Sequence, residues 1–268
     1  MNFNGLVIPC LGISIVLFFV SQRIWQKIRS LRDKGLFLLF CLLAAGPGLL
    51  MIVYYFHILD QLAWFYQFRS ILYTELLLAG IGLPAGILAS VGGKARLVSR
   101  PFIFTLMLIA VSIPFLKPIL APLDYALLKD KFDGEITLQS SNATCGPACV
   151  VTLLRHFGIA ATEQAIAREC YTYVGGTENW YIARALRKRG LACEFVIRDG
   201  QQAAVPYPAI AGIDMGTGHF ITILDKVEGM YHVGDPLVGR QDIEADRIYE
   251  KLPLTGFFLV VSGHGEQG

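Results

Sequence analysis

The sequence predicts a soluble α+β domain preceded by about four transmembrane helices. The 268 residues are 54% hydrophobic and only 16% charged, whereas an average globular domain carries about 25% charged residues. The net charge is +7 over residues 1–122 and −5 over residues 123–268. This division indicates a membrane anchor (1–122), a short linker (123–134) and a water-soluble domain (135–268). No clustered basic face is evident, so we expect no nucleic-acid partner.

Four apolar stretches whose only charged member is Glu75 are candidate spans: Leu6–Val20, Leu36–His57, Ile71–Val91 and Pro101–Leu116. About 20 apolar residues are needed to cross a bilayer core. The second and third stretches reach that length, and the first does so if it starts near Phe3. The fourth crosses only if its helix continues past Lys117; otherwise it lies in the interface. Glu75, near a helix end, is expected to be interfacial, which favours an anchor over a transporter.

The distribution of Lys and Arg predicts the orientation, because basic residues are retained on the cytoplasmic side. Five lie at positions 23–34 and three at 92–100, against four on the opposite side of a four-span topology. We therefore expect the soluble domain outside the cytoplasm, on a bacterial inner membrane. If the fourth stretch does not cross, the domain is cytoplasmic.

In the soluble part, helical patterns precede strand patterns. The helices begin and end at the usual Pro and Gly positions, and the strands show alternating or continuous apolar residues. The predicted helices are Cys145–Phe157, Thr162–Cys170 and Asn179–Arg189; the predicted strands are Ala192–Arg198, Tyr207–Ile213, His219–Lys226, Met230–Val233 and Phe257–Val261. This order is typical of an α+β domain with an antiparallel sheet.

Four residues of this domain form a candidate catalytic set. Cys145 opens a helix, where the positive helix end favours a thiolate nucleophile. Gln139, six residues upstream, offers a side-chain donor to an oxyanion beside the Cys145 N–H. His219 starts a strand at its rim as the candidate base. Asp235, at the end of the next strand, is placed to fix the histidine tautomer.

A nucleophile on the first helix with partners on the sheet is a papain-like arrangement, and this one resembles the C39 peptidases over residues 135–262. The resemblance rests on QSSNATCGPA at Gln139–Ala148, on GT and AL between Gly176 and Leu186, on PAIA and HF between Pro208 and Leu224, and on the Asp235–Pro236 pair. Members of that family cleave leader peptides after a double glycine, usually at the N-terminus of bacteriocin-exporting ABC transporters.

The resemblance implies Cys145 as nucleophile, His219 as general base and then acid, Asp235 as orienting residue and Gln139 as oxyanion donor. This chain departs from the family pattern at Thr144, where Asp is usual, and at Thr255, where Trp is usual. It also contains no GxxxxGK[ST] motif, so we expect no ATP-driven export within it.

Other assignments compete with these. Cys149 is expected to be an inert neighbour of Cys145, and His232 is the rival base because it lies three residues from Asp235. Cys170 and Cys193 are a possible disulfide if the domain is outside the cytoplasm, which spacing does not decide. No pair of Cys or His residues has metal-ligand spacing, so we expect neither a metal nor another cofactor.

The sequence thus predicts a membrane-anchored cysteine endopeptidase that cleaves a leader or precursor peptide after a Gly-Gly-like pair. Its expected partners are a peptide or protein precursor, the lipid bilayer and a secretion or export apparatus. The alternative is a non-cleaving module of a secretion system that binds the leader peptide or acts as a scaffold. Amidase, deamidase or acyl-transfer chemistry on the same residues is a third possibility.

Overall fold

The computed structural model describes residues 3–56, 58–60, 62–91, 96–198 and 204–263. The chain divides into two compact units. The helical unit comprises Phe3–Asp60 and Tyr73–Ile119; the mixed unit comprises Gln61–Leu72 and Leu120–Gly268. This division differs from the sequence-based one in two places, since residues 61–72 and the predicted linker 123–134 both belong to the mixed unit.

The α-helices are α1 (Val7–Lys27), α2 (Leu31–Val53), α3 (Ala63–Arg69), α4 (Gly82–Val91), α5 (Arg96–Ser112), α6 (Lys117–Leu120), α7 (Cys145–His156), α8 (Glu163–Glu169), α9 (Asn179–Arg187) and α10 (Ile248–Lys251). The strands are β1 (Lys131–Asp133), β2 (Ile136–Leu138), β3 (Ala192–Ile197), β4 (Ala209–Asp214), β5 (Gly218–Val227), β6 (Met230–Asp235), β7 (Gly239–Glu244) and β8 (Leu254–Ser262).

All four predicted apolar stretches form helices in the helical unit. Three helical segments of the described chain are long and apolar enough to cross a membrane: Val7–Lys27, Leu31–Phe56 and Thr74–Val91. The fourth, Ser99–Phe115, is a shorter apolar helix. The first reaches spanning length by continuing past Val20 to Lys27 rather than by starting at Phe3. Glu75 lies near a helix end, as expected, but it is buried in the protein instead of facing an interface.

Glycines allow α1 and α4 to approach closely. A Cβ added at Gly82 would lie 2.2 Å from the Ser14 carbonyl oxygen, and one at Gly86 would lie 2.1 Å from that of Phe18. The two glycines are one helical turn apart, which is the small-xxx-small arrangement that lets membrane helices pack backbone to backbone. Any larger residue at either position would push the helices apart.

The mixed unit is built on a six-stranded antiparallel sheet in the order β3-β8-β4-β5-β6-β7, with a separate β1–β2 pair. This confirms the predicted α+β class. The sequence analysis does not predict β7, because its sequence GRQDIE has only one large apolar residue, Ile243. The strand forms by pairing with β6 at the edge of the sheet. α7 is almost wholly buried, from Cys145 to Leu154.

The segment predicted as a linker is folded onto this unit. The Tyr125 hydroxyl donates a hydrogen bond to the Thr172 carbonyl oxygen at 2.6 Å, and the Gln164 side chain donates one to the Tyr125 carbonyl oxygen at 2.7 Å. Its mixed charge suggested a solvated connection, but the aromatic ring of Tyr125 supplies a buried contact that composition does not show.

Candidate active site

Cys145 is the first residue of α7, and a tight loop delivers it there. Thr144, which is fully buried, holds the loop from its C-terminal end. Its hydroxyl accepts a hydrogen bond from the Ser141 N–H at 3.1 Å and donates one to the Ser141 carbonyl oxygen at 2.9 Å. Thr144, where the resembled family usually has Asp, therefore braces the residue before the predicted nucleophile. Cys145 itself is 9% exposed.

His219 and Asp235 contact each other as predicted. Nε2 of His219 lies 2.9 Å from Oδ1 of Asp235, and both residues are more than 90% buried. The same carboxylate oxygen accepts a hydrogen bond from the Leu237 N–H at 2.8 Å, which fixes its direction. Because Nε2 is engaged by Asp235, Nδ1 is the ring nitrogen left for an interaction with Cys145, which contributes to the raised pKa of His219.

An irregularity in the β5–β6 hairpin brings this pair together. Near the turn the pairs are Val227 with Met230, Lys226 with Tyr231 and Asp225 with His232, but further on they are Ile223 with Val233 and Thr222 with Gly234. If Leu224 were paired instead of bulged, the first register would continue and Thr222 would pair with Asp235. Since a one-residue slip turns every side chain to the other face, Asp235 would then face away from His219.

Opposing effects determine the pKa of the His219 imidazole. Burial lowers it, whereas the hydrogen bonds to Asp235 and Cys145 and the charges of these two residues raise it, to about 9 overall. Such an imidazole is protonated at neutral pH. It can therefore hold a proton beside Cys145 and deliver it to a leaving group.

Gln139 lies beside this pair. Its backbone N–H donates to the Pro236 carbonyl oxygen at 2.9 Å, which ties the loop before Cys145 to the residue after Asp235. Its side-chain Nε2 donates to the Ser141 carbonyl oxygen at 2.9 Å. A primary amide nitrogen carries two hydrogens, so one remains for a further acceptor.

Sequence reasoning missed Glu163, a fully buried carboxylate that holds the residue next to Gln139. It accepts a hydrogen bond from the Ser140 N–H at 2.9 Å and a short one from the Ser140 hydroxyl. Its own backbone N–H donates to Asp130 at 2.7 Å. An acidic residue in the first turn of a helix is commonplace, and nothing in the sequence marks this one as buried.

The rival residues lie elsewhere or are inert. Cys149 is fully buried, and burial first, then the charges of Cys145 and Asp235, raise the pKa of its thiol well above the ordinary value. His232 pairs with Asp225 at 2.5 Å and with Asp242 at 3.7 Å. Asp235 therefore contacts His219 and not His232.

The six cysteines are free thiols and all are buried. The disulfide considered between Cys170 and Cys193 is not formed, and burial raises the pKa of both thiols, that of Cys193 to about 12. Among the residues that the structure describes, no group of three or more His, Cys, Asp or Glu side chains is arranged to hold a metal ion.

Residues 133–262 match the peptidase C39 family. An uncharacterised protein of Methanothermobacter marburgensis is 31% identical over 130 residues, which cover 48% of this chain and 89% of that protein. A second, from Methanothermobacter thermautotrophicus, is 30% identical over 135 residues, with 48% and 89% covered. The family match spans all four predicted catalytic residues.

Solved structures resemble about half of the chain. A double glycine motif protease from an AMS/PCAT transporter, in complex with its leader peptide, is 17% identical, with 50% of this chain and 91% of that chain covered and a TM-score of 0.41. The peptidase domain of Streptococcus ComA, a bifunctional ABC transporter of a quorum sensing pathway, is 19% identical, with 51% and 98% covered and a TM-score of 0.40.

Proposed function

This chain belongs to the peptidase C39 family, and on that premise we propose that it is a membrane-anchored cysteine endopeptidase. The observation that carries the proposal is the 2.9 Å contact of Asp235 with His219, whose pKa is raised in part by Cys145 at the start of a buried helix. A nucleophile, a base in contact with it and a third group orienting the base are the parts that covalent acyl transfer requires.

The proposed reaction follows from these contacts. His219 holds the proton that has left Cys145 Sγ, so that the two form an ion pair, and the thiolate attacks the carbonyl carbon of the scissile bond. The oxyanion that forms is held by the Cys145 N–H and the second N–H of the Gln139 amide. His219 then gives its proton to the leaving amine. A water molecule, deprotonated by His219, hydrolyses the acyl enzyme and restores the Cys145 thiol.

We propose a leader or precursor peptide with a Gly-Gly-like pair before the cleaved bond as the substrate. We propose this substrate class because of family membership. The double glycine motif named for the solved protease describes that protein and is not evidence about this chain. The three spanning-length helices support the membrane anchor. The Lys and Arg distribution supports a mixed unit outside the cytoplasm, where it would meet exported precursors and, by this proposal, a secretion or export apparatus.

Cleavage of a synthetic peptide with an internal Gly-Gly pair tests the proposal. The purified full-length chain in detergent should cut it after the pair, and a matched peptide with Leu-Leu in its place should resist. Cys145→Ala should lower the rate roughly a thousand-fold or more, whereas Cys149→Ala, one turn along the same helix, should retain activity. Wild-type cleavage by the Cys145→Ala variant would refute the mechanism.

Thiol labelling separates the enzyme from a non-cleaving module that binds leader peptides. An activated Cys145 should react with iodoacetamide well below about pH 8, and Cys145→Ala should remove that reaction. Binding of the Gly-Gly peptide without cleavage, together with an unreactive Cys145, would establish the binding module instead.

A further inference from the structure

The segment Leu62–Leu72, which joins the second and third apolar stretches along the chain, is packed into the mixed unit. Helix α3 has only seven residues, too few to be stable alone in water. It nevertheless buries Phe65, Tyr66, Arg69 and Ser70, each less than 5% exposed. Long-range contacts therefore hold it in place.

Two arginines of α9 hold the C-terminal end of α3. Arg184 donates hydrogen bonds to the carbonyl oxygens of Arg69 at 2.6 Å and Ile71 at 2.8 Å. Arg187 donates to the Ser70 hydroxyl at 2.5 Å and to its carbonyl oxygen at 3.2 Å. These charge-assisted bonds satisfy helix-end carbonyls that have no partner within α3.

Aromatic contacts fix the rest of the segment. The Arg69 guanidinium lies over the ring of Trp180, 4.5 Å from its centroid. The Tyr66 ring lies 5.6 Å from that of Phe195 and 5.4 Å from that of Phe257. Phe195 is on the edge strand β3, and its N–H donates to the Gln67 side chain at 3.3 Å. The segment thus covers a sheet edge that would otherwise be open to pairing.

We propose that residues 62–72 are a docked, integral part of the mixed unit, and that this docking requires the fourth apolar segment to cross the membrane. Residues that bury one another occupy the same compartment. Between Leu72 and Leu120 the chain forms two apolar segments, Thr74–Val91 and Ser99–Phe115. The first has spanning length, so the second must return the chain across the bilayer to the side of residues 62–72.

This inference goes beyond the proposed peptidase activity and does not depend on it. It makes the anchor more than a tether, since a loop between two membrane segments supplies buried side chains to the domain that follows them. It also predicts that the mixed unit cut away at Leu120 lacks part of its own core.

Impermeant maleimide labelling of introduced cysteines in the full-length chain, whose other cysteines are buried, tests the topology. The probes are Gln67→Cys on α3 and Val227→Cys, which is 50% exposed in the hairpin of the mixed unit, each in a Cys145→Ala background. Both should be labelled in intact cells, or neither should be until the cells are permeabilised. The second result keeps the docking and reverses the proposed orientation. Any difference between the two sites overturns the inference.

A buried probe tests the docking itself. Ser70 is 2% exposed, so Ser70→Cys should label slowly. Adding Arg187→Ala should speed its labelling roughly ten-fold, the effect of losing one or two charge-assisted hydrogen bonds. Adding Lys188→Ala should not, because Lys188 pairs with Glu169 and not with the segment. Rapid labelling of Ser70→Cys alone would show that the segment is not docked.

Discussion

Replacing Asp235 with Asn tests the charge that the structure assigns to His219. The substitution keeps the size of the side chain but removes the carboxylate that lies 2.9 Å from Nε2. Burial lowers the pKa of the imidazole, and without the carboxylate less opposes that effect, so the pKa should fall from about 9. The variant should lose the stability that a charged His219 contributes.

The magnitude follows from the pKa. The difference between about 9 and the ordinary 6.5 corresponds to about 3 kcal/mol in favour of the protonated folded state. Asp235 supplies only part of this, because Cys145 also raises the pKa of His219. We therefore expect the substitution to remove about half of it, about 1.5 kcal/mol. Because the folded-state pKa is raised, the contribution is complete below pH 6.5 and is lost as the pH rises through 9.

Thermal unfolding of the full-length chain in detergent measures this. At about pH 6 the Asp235→Asn variant should unfold about 3–6 °C below the wild type, and the deficit should shrink towards about pH 10. Asp225→Asn is the matched control. The Asp225 carboxylate also contacts a histidine, His232, but the Asp225 side chain is 40% exposed, so this substitution should change stability little at either pH. An Asp235→Asn deficit that is the same at both pH values would refute a charged His219.

Two further substitutions test the loop before the nucleophile and the helical unit. Thr144→Ala removes both hydroxyl hydrogen bonds to Ser141, so it should lower kcat about five-fold or more and the free energy of unfolding by about 1–2 kcal/mol. Thr144→Ser retains the hydroxyl and is the control. Equal peptide-cleavage kinetics for the two variants would contradict this role. Gly86→Val forces a side chain against the Phe18 carbonyl oxygen and should lower the unfolding temperature of the full-length chain by about 5 °C or more. Gly12→Ala, at a position with open space around it, should leave the unfolding temperature unchanged. Equal unfolding temperatures for the two variants would show that close packing of α1 and α4 is not required.

The α+β class and the order of helices and strands could be predicted from the sequence, because apolar periodicity and the positions of Pro and Gly are local signals. The approach of His219 to Asp235 was also accessible, since it depends on a hairpin between neighbouring strands. The catalytic roles of Cys145, His219, Asp235 and Gln139 stay predictions, for which the contacts in the structure supply the physical basis.

Features that depend on distant partners could not be predicted. α3 looks like a loop in the sequence, because its seven residues carry no amphipathic repeat and its stability comes from arginines more than 110 positions further along the chain. Glu163 likewise gives no sign of its burial against Ser140. Pairing with β6 creates β7, whose own residues have little preference for a strand.

The irregularity at Leu224 restricts how this hairpin can change in length. Removing Leu224 itself would make the pairing of β5 with β6 continuous and would leave Asp235 on the same face as His219. One residue added or removed elsewhere in the paired part of either strand, without a second bulge, would turn the two side chains to opposite faces. We therefore expect functional variants of this chain that differ by one residue within these paired strands to differ at the bulge.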